Sequence, residues 1–216
     1  FGKEGMIVIA NPNAPTGLAL SKDEIEEILK NAKTAIVIID EAYVDFGAES
    51  AAGLIPKYDN LIVVGTFSKS RSMAGIRIGY ALGQKSLISD LHRIKYSFNP
   101  YSLDGLAVLA GKASVEDREY FENTKNKVIK TRENFMKELK TLGFEVFDSK
   151  ANFVFTKNDI ISGEELYKEL RRNNILRYFD EDVLRDYVRI SIGSDENMEY
   201  TTNVLRGIIG NRGKHE

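Results

Sequence analysis

Three short apolar runs, each closing on a polar, turn-rich segment, constrain the fold more than any other feature. Residues 6–10 (MIVIA) lead into NPNAPTG, residues 35–39 (AIVII) into DEAYVDFG, and residues 61–65 (LIVVG) into TFSKS. Runs this short, rich in β-branched residues and bounded by turn formers, read as strands buried on both faces of a parallel sheet. Between the first two lies LSKDEIEEILKNAK, where Ser21 and Glu24 form a capping-box pattern and Ile25, Ile28 and Leu29 give a helical stripe. Strand, helix, strand in that order predicts a doubly wound α/β sheet. IGYAL (78–82) reads as a further strand.

The pattern changes after about residue 100. LDGLAVLAGKA and then VEDREYFENTKNKVIKTRENFMKELKTLG (115–143) read as helices, with Gly143 as the stop of the second. FEVFDSKANFVFTKN reads as two strands around a turn. A helix at about 162–173, strands ILRYF and VRISIG, and a last helix from about Asp195 complete the chain. The expected division is 1–115, part of a large α/β domain, and 116–216, a long connecting helix with a small α+β domain. At 216 residues and 43% hydrophobic, the chain can bury cores of that size.

Charge is balanced, 30 basic against 32 acidic residues without a basic block, which argues against nucleic-acid or membrane-surface binding. No apolar run approaches the roughly 20 residues of a membrane span. With no cysteine there is no thiolate metal site and no disulfide framework, which fits the cytoplasm. The two histidines, His92 and His215, are too few and too far apart for a His-rich metal site, and His92 reads as a helix-surface residue. GLAVLAGKAS is not a P-loop: Gly105 and Gly111 are one residue too far apart, and Ala113 stands where Ser or Thr is needed.

In an open α/β sheet ligands gather outside the carboxyl ends of the strands. Three such ends carry Asn11–Gly17, Asp40–Tyr43 and Thr66–Lys69, so one rim receives a carboxylate, a phenol, hydroxyls and an amine. Taken singly, each has a plainer reading: a turn cap at Asp40, packing at Tyr43, an Asx-Pro turn in NPNAPTG, a solvated Lys69. Pyridoxal phosphate needs all of them together. It needs an amine for its aldehyde, a carboxylate for its pyridine nitrogen, a phenol or amide for its ring hydroxyl, and hydroxyls with an arginine for its phosphate.

The order NPNAPTG, DEAYVDF, TFSKSRSMAGIRIGY, YVRISIG is similar to fold-type I (class I/II) aminotransferases, most closely to the histidinol-phosphate aminotransferases. The resemblance runs from Met6 to the last helix. It implies Lys69 as the lysine that joins the cofactor aldehyde, Asp40 as the partner of the pyridine nitrogen, and Tyr43 as the donor to the ring hydroxyl. Thr66, Ser68 and Arg77 are implied as phosphate ligands. Arg189 resembles the arginine that holds the substrate's anionic group, and Arg177 a second substrate-side arginine. Asn99 and Tyr101, in SFNPYSLDG, are candidates for the same side, with a structured loop as the alternative. The implied substrates are histidinol phosphate, or another amino donor, with glutamate and 2-oxoglutarate, and the implied assembly is a homodimer.

One position departs from the family pattern. Ala14 stands where asparagine normally precedes Pro-Thr-Gly, so Tyr43 acts alone on the ring hydroxyl or Asn13 substitutes through a shifted loop. A modest change in how the lysine–cofactor linkage titrates is expected, not loss of chemistry. The resemblance also implies a preceding segment with a glycine-rich phosphate-binding turn, a ring-stacking aromatic and site tyrosines. The chain is therefore expected to be an N-terminally incomplete fragment that holds cofactor weakly. Two rival readings stay open: a lyase on the same fold, such as a threonine-phosphate decarboxylase, and a ligand-sensing regulator built on an aminotransferase-like domain.

Overall fold

The computed structural model describes residues 4–171 and 176–212. The predicted end of the 162–173 helix, Ile175 of the ILRYF strand and His215 lie outside these residues. The chain divides into two compact units. One contains the chain up to Asn13 together with Ala19–Asn123. The other contains Ala14–Leu18 together with the chain from Thr124 onward.

The first unit is built on a sheet of strands β1 (Gly5–Ala10), β2 (Ala35–Asp40), β3 (Leu61–Thr66) and β4 (Gly79–Gly83), in that spatial order. The first three are parallel and β4 is antiparallel to β3. Helix α1 (Lys22–Asn31) starts at the capping box read from the sequence: Ser21 Oγ accepts from Glu24 N–H, and the Glu24 carboxylate accepts from Ser21 N–H. Its Ile25 and Leu29 pack with Val37, Ile39, Leu61 and Val63 into one core. The 3₁₀ turn Ala51–Lys57 adds Ala51 and Leu54 to that face.

The expectation that all three strands are buried on both faces does not hold for β1. Met6 and Val8 point away from the core and are 63% and 62% exposed, and Ile36 beside them on β2 is exposed too. Alternate residues of a strand face opposite sides, and α1 with the 51–57 turn covers only one. Helices α2 (Lys85–Phe98) and α3 (Gly105–Glu116) complete the unit. Gly111 of α3 packs so closely on Ile78 that a Cβ there would lie 2.8 Å from the Ile78 side chain. His92 lies exposed on α2, stacked on Tyr96.

The predicted helix 115–143 is two elements. Val115 and Glu116 end α3, and Asp117 caps both helices: its N–H donates to Ala113 O, and its carboxylate accepts from Tyr120 N–H. Helix α4 then runs Arg118–Thr141 and stops at Gly143, whose φ of +80° is one glycine adopts without strain.

In the second unit, β5 (Glu145–Val146), β6 (Phe153–Lys157), β7 (Leu176–Tyr178) and β8 (Val188–Ser191) form an antiparallel sheet ordered β5-β6-β8-β7. Its core joins Phe135 and Leu139 of α4, Val154, Val188 and Ile190 of the sheet, Leu166 and Leu170 of α5 (Gly163–Leu170), and Leu205 of α6 (Asp195–Arg212). Among the described residues, no helix is long and apolar enough to cross a membrane.

Candidate active site

The parallel register aligns the carboxyl ends of β1, β2 and β3: Ala10 pairs with Asp40, and Asp40 with Val64. The ladder continues one step past the strands, with Asn11 N–H donating to Asp40 O and Glu41 N–H to Val64 O, both at 2.8 Å. The three polar loops therefore leave the sheet side by side, as strand geometry requires of parallel neighbours.

Asp40 ends β2 half-buried, and one of its carboxylate oxygens accepts from Ala42 N–H at 3.0 Å. Tyr43 follows, with the exposed Lys69 holding its Nζ 5.3 Å from the phenol ring centroid. An ammonium at that range over an aromatic face is attracted by the ring quadrupole. Thr66 and Ser68 are coupled: the Thr66 hydroxyl donates to Ser68 Oγ at 2.9 Å and accepts from Ser68 N–H at 3.0 Å. Arg77 sits in a left-handed conformation (φ +63°) on the turn into β4, exposed, its guanidinium donating to Ala74 O at 2.9 Å. Asn13 is exposed beside Ala14. Asn99 ends α2, its N–H donating to Lys95 O at 2.8 Å, and Tyr101 just beyond is 90% exposed.

The structure thus gathers Asp40, Tyr43, Thr66, Ser68 and Lys69 at the ends of β2 and β3. Arg189 and Arg177 belong to the second unit, where they stand directly opposite each other in the β7–β8 register. Each guanidinium lies over a phenylalanine ring, Arg189 over Phe153 of β6 at 4.8 Å and Arg177 over Phe179, just past β7, at 5.2 Å.

Several supports were not singled out in the sequence. Asn11 is 1% exposed and clamps Leu20, its amide oxygen accepting from Leu20 N–H at 2.7 Å and its amide nitrogen donating to Leu20 O at 3.2 Å. Ser70, next to the lysine, donates to Asp45 at 2.5 Å, which joins the lysine turn to the segment after DEAY. Arg71 donates to Ser114 O and lies 4.1 Å from the Phe121 ring centroid, which joins the same turn to α3 and the start of α4. Glu41 is buried, accepting from Ala51 N–H at 2.6 Å and the Ser50 hydroxyl at 2.7 Å. Burial pushes its carboxyl up, the two hydrogen bonds oppose that, and the like charge of Asp45 adds to it. Burial also raises the Tyr80 phenol, helped by the carboxylates of Asp45 and Glu41. The sequence signal for these supports is only their nearness to the motifs.

This rim of amine, carboxylate, phenol and paired hydroxyls, on an α/β unit followed by a smaller antiparallel one, defines a class. The sequence pattern of the class I and II aminotransferases matches residues 2–205, and the chain belongs to that family. More particularly, it is 54% identical over 207 residues to the histidinol-phosphate aminotransferase of Brachyspira hyodysenteriae, covering 95% of this chain and 58% of that protein. It is 49% identical to the enzyme of the same name from Clostridium botulinum strain Okra, over 95% of this chain and 58% of that one. The crystal structure of the histidinol-phosphate aminotransferase from Clostridium acetobutylicum superposes with a TM-score of 0.87 at 30% identity, covering 95% of this chain and 64% of that chain. This chain therefore spans about three-fifths of the length of its curated relatives.

Proposed function

We propose that this chain is the part of a pyridoxal-phosphate-dependent aminotransferase that carries the reactive lysine, and that the whole enzyme moves an amino group between histidinol phosphate and 2-oxoglutarate. The observation that carries the reading is the convergence of Lys69, Tyr43, Asp40, Thr66 and Ser68 on one rim, with Lys69 Nζ over the Tyr43 ring. The names of relatives near 50% identity support the substrate. In this reading the unit built on the parallel sheet is the cofactor-binding domain and the other is the small domain.

The donor set fits the cofactor group by group. Pyridoxal phosphate supplies an aldehyde for the substrate amine and a ring that accepts the electron pair released with the α-proton. The Thr66 and Ser68 hydroxyls would hold the phosphate, with the Arg77 guanidinium, which now donates to Ala74 O, as the third candidate. Asp40 would keep a proton on the pyridine nitrogen, and the Tyr43 hydroxyl would donate to the ring oxygen. Lys69 would bind the cofactor aldehyde through Nζ and carry the α-proton at the same atom. Arg189 and Arg177 hold the substrate's anionic end. Because histidinol phosphate offers phosphate and glutamate offers carboxylate, a planar fork that accepts either suits both half-reactions.

A cytoplasmic homodimer belongs to the same reading. Phe98, Tyr101, Leu106 and Leu109, from the end of α2 to α3, are large exposed apolar residues, which supports self-association, and sedimentation equilibrium of the full-length protein checks it.

The test is borohydride reduction of the full-length protein with pyridoxal phosphate, followed by peptide mass mapping, together with an assay of histidinol phosphate against 2-oxoglutarate. One cofactor adduct on Lys69 and formation of glutamate are expected. Adduct scattered over surface lysines would refute the lysine assignment, and carbon dioxide release in place of oxo product would make the protein a lyase.

A further inference from the structure

The turn Ser149–Asn152 has no place in the chemistry above, yet two of its residues are fully buried, Ser149 at 1% and Ala151 at 0% exposure. Three segments meet on it. The first is Ala14–Leu18, the tail of NPNAPTG, which belongs to the second unit although the residues on either side of it belong to the first. Gly17 sits against Ser149 so closely that a Cβ at 17 would lie 2.3 Å from Ser149 Oγ, and Gly17 O accepts from Lys150 N–H at 2.8 Å. The second is α4, whose buried Arg132 donates to Ala151 O at 2.9 Å. The third is the β6–β8 pair, where Ile192 N–H donates to Asn152 O at 2.9 Å and the Phe153 ring underlies Arg189. Ser149 closes the turn itself, its hydroxyl donating to Phe153 O at 2.6 Å and accepting from Ala151 N–H at 3.1 Å.

We propose that Ser149 and Arg132 are positioning residues: the buried turn they close sets the Arg189 side chain and the 14–18 segment as one rigid piece. The inference rests on the reading of Arg189 as the substrate's anion partner. Ser149 fixes where Phe153 begins β6, and Phe153 is the platform on which the Arg189 guanidinium lies. The same hydroxyl-bearing residue is the wall that Gly17 abuts. A displacement at either end is therefore felt at the other. Packed interiors shift as units because they contain no spare volume to absorb a local change. By this coupling, an anion drawn to Arg189 also steadies residue 14, the position where the family pattern has asparagine.

The experiment compares Gly17→Ala, Ser149→Ala, Arg132→Met and Arg132→Lys in the full-length holoenzyme. Amide hydrogen exchange is read at Lys150 and Ile192, and KM and kcat for histidinol phosphate are measured beside them. Gly17→Ala touches only one end, so the expected result is exchange at least about tenfold faster at both amides. Ser149→Ala and Arg132→Met are expected to raise KM about tenfold with kcat changed far less, and Arg132→Lys to recover most of the loss. Faster exchange confined to Lys150 in Gly17→Ala, with Ile192 at the wild-type rate, overturns the proposal even if Ser149→Ala does not fold. Arg189→Ala separates the two readings. If it leaves KM unchanged, the anion role fails while exchange still decides the coupling. If it raises KM and Ser149→Ala does not, the positioning role fails.

Discussion

Replacing Gly163 by alanine sets helix propensity against packing, and the structure decides the sign. Gly163 is the first residue of α5, after the N-cap Ser162, and its φ lies outside the left-handed region, so alanine fits the backbone there. Propensity alone favours alanine over glycine inside a helix by up to about 1 kcal/mol. A Cβ at 163, however, would lie 2.4 Å from Arg185 O and 2.8 Å from the Asp186 carbonyl carbon, against 3.4 Å and more in ordinary contact. Both are main-chain atoms, so no side chain can swing aside. Relief requires moving the turn before β8, which is pinned by Leu184 and Arg185 N–H to Glu181 O and by Tyr187 N–H to Leu184 O. Overpacking of this kind costs about 1–3 kcal/mol, and loss of one of those bonds adds about 1 kcal/mol. The net expectation is destabilisation by about 1–3 kcal/mol. Gly207 in α6 is the control: among the described residues nothing lies within 4 Å of the Cβ it lacks, so Gly207→Ala should stabilise by about 0.5–1 kcal/mol. Urea titration of the full-length protein reads both midpoints. If Gly163→Ala proves as stable as the parent while Gly207→Ala behaves as expected, the clash carries no weight and the reasoning fails.

Burial raises the Glu41 carboxyl above its ordinary value, so the proton is held more tightly in the folded state than in the unfolded one. Its contribution to stability is then fully present below the ordinary carboxyl pKa of about 4.5 and is lost as pH rises through the folded value. Relative to the parent, Glu41→Gln should gain stability as pH rises from 4 to 7, and a stability difference independent of pH would contradict this. In the full-length protein Lys69→Ala should abolish the proposed transamination, since the proposal makes this residue both cofactor partner and proton carrier, and ordinary turnover in that variant would sink the mechanism. Ala14→Asn should shift the pH titration of the bound cofactor's absorbance without abolishing turnover, and an unchanged titration would show that position 14 does not reach the ring hydroxyl.

The sequence by itself determined what depends on neighbours a few residues apart. The capping box of Ser21 and Glu24, the stop at Gly143, the strand character of the runs before Asn11, Asp40 and Thr66, and the gathering of their loops on one rim all follow from local chemistry and from parallel strand order. Family membership was equally legible, because the motifs are short and continuous. Tertiary structure decided the rest. It decided which face of β1 is covered, since strand alternation marks two faces without saying what packs on either. It brought Ser70 to Asp45 and Arg71 to Ser114, pairs 25 and 43 residues apart, and set Arg177 opposite Arg189 through strand register. It also assigned Ala14–Leu18 to the second unit, through a glycine whose missing Cβ is the space that Ser149 fills. A side chain's partner across such separations depends on how the whole chain closes, and closure is a property of the packed core that no short stretch of sequence contains.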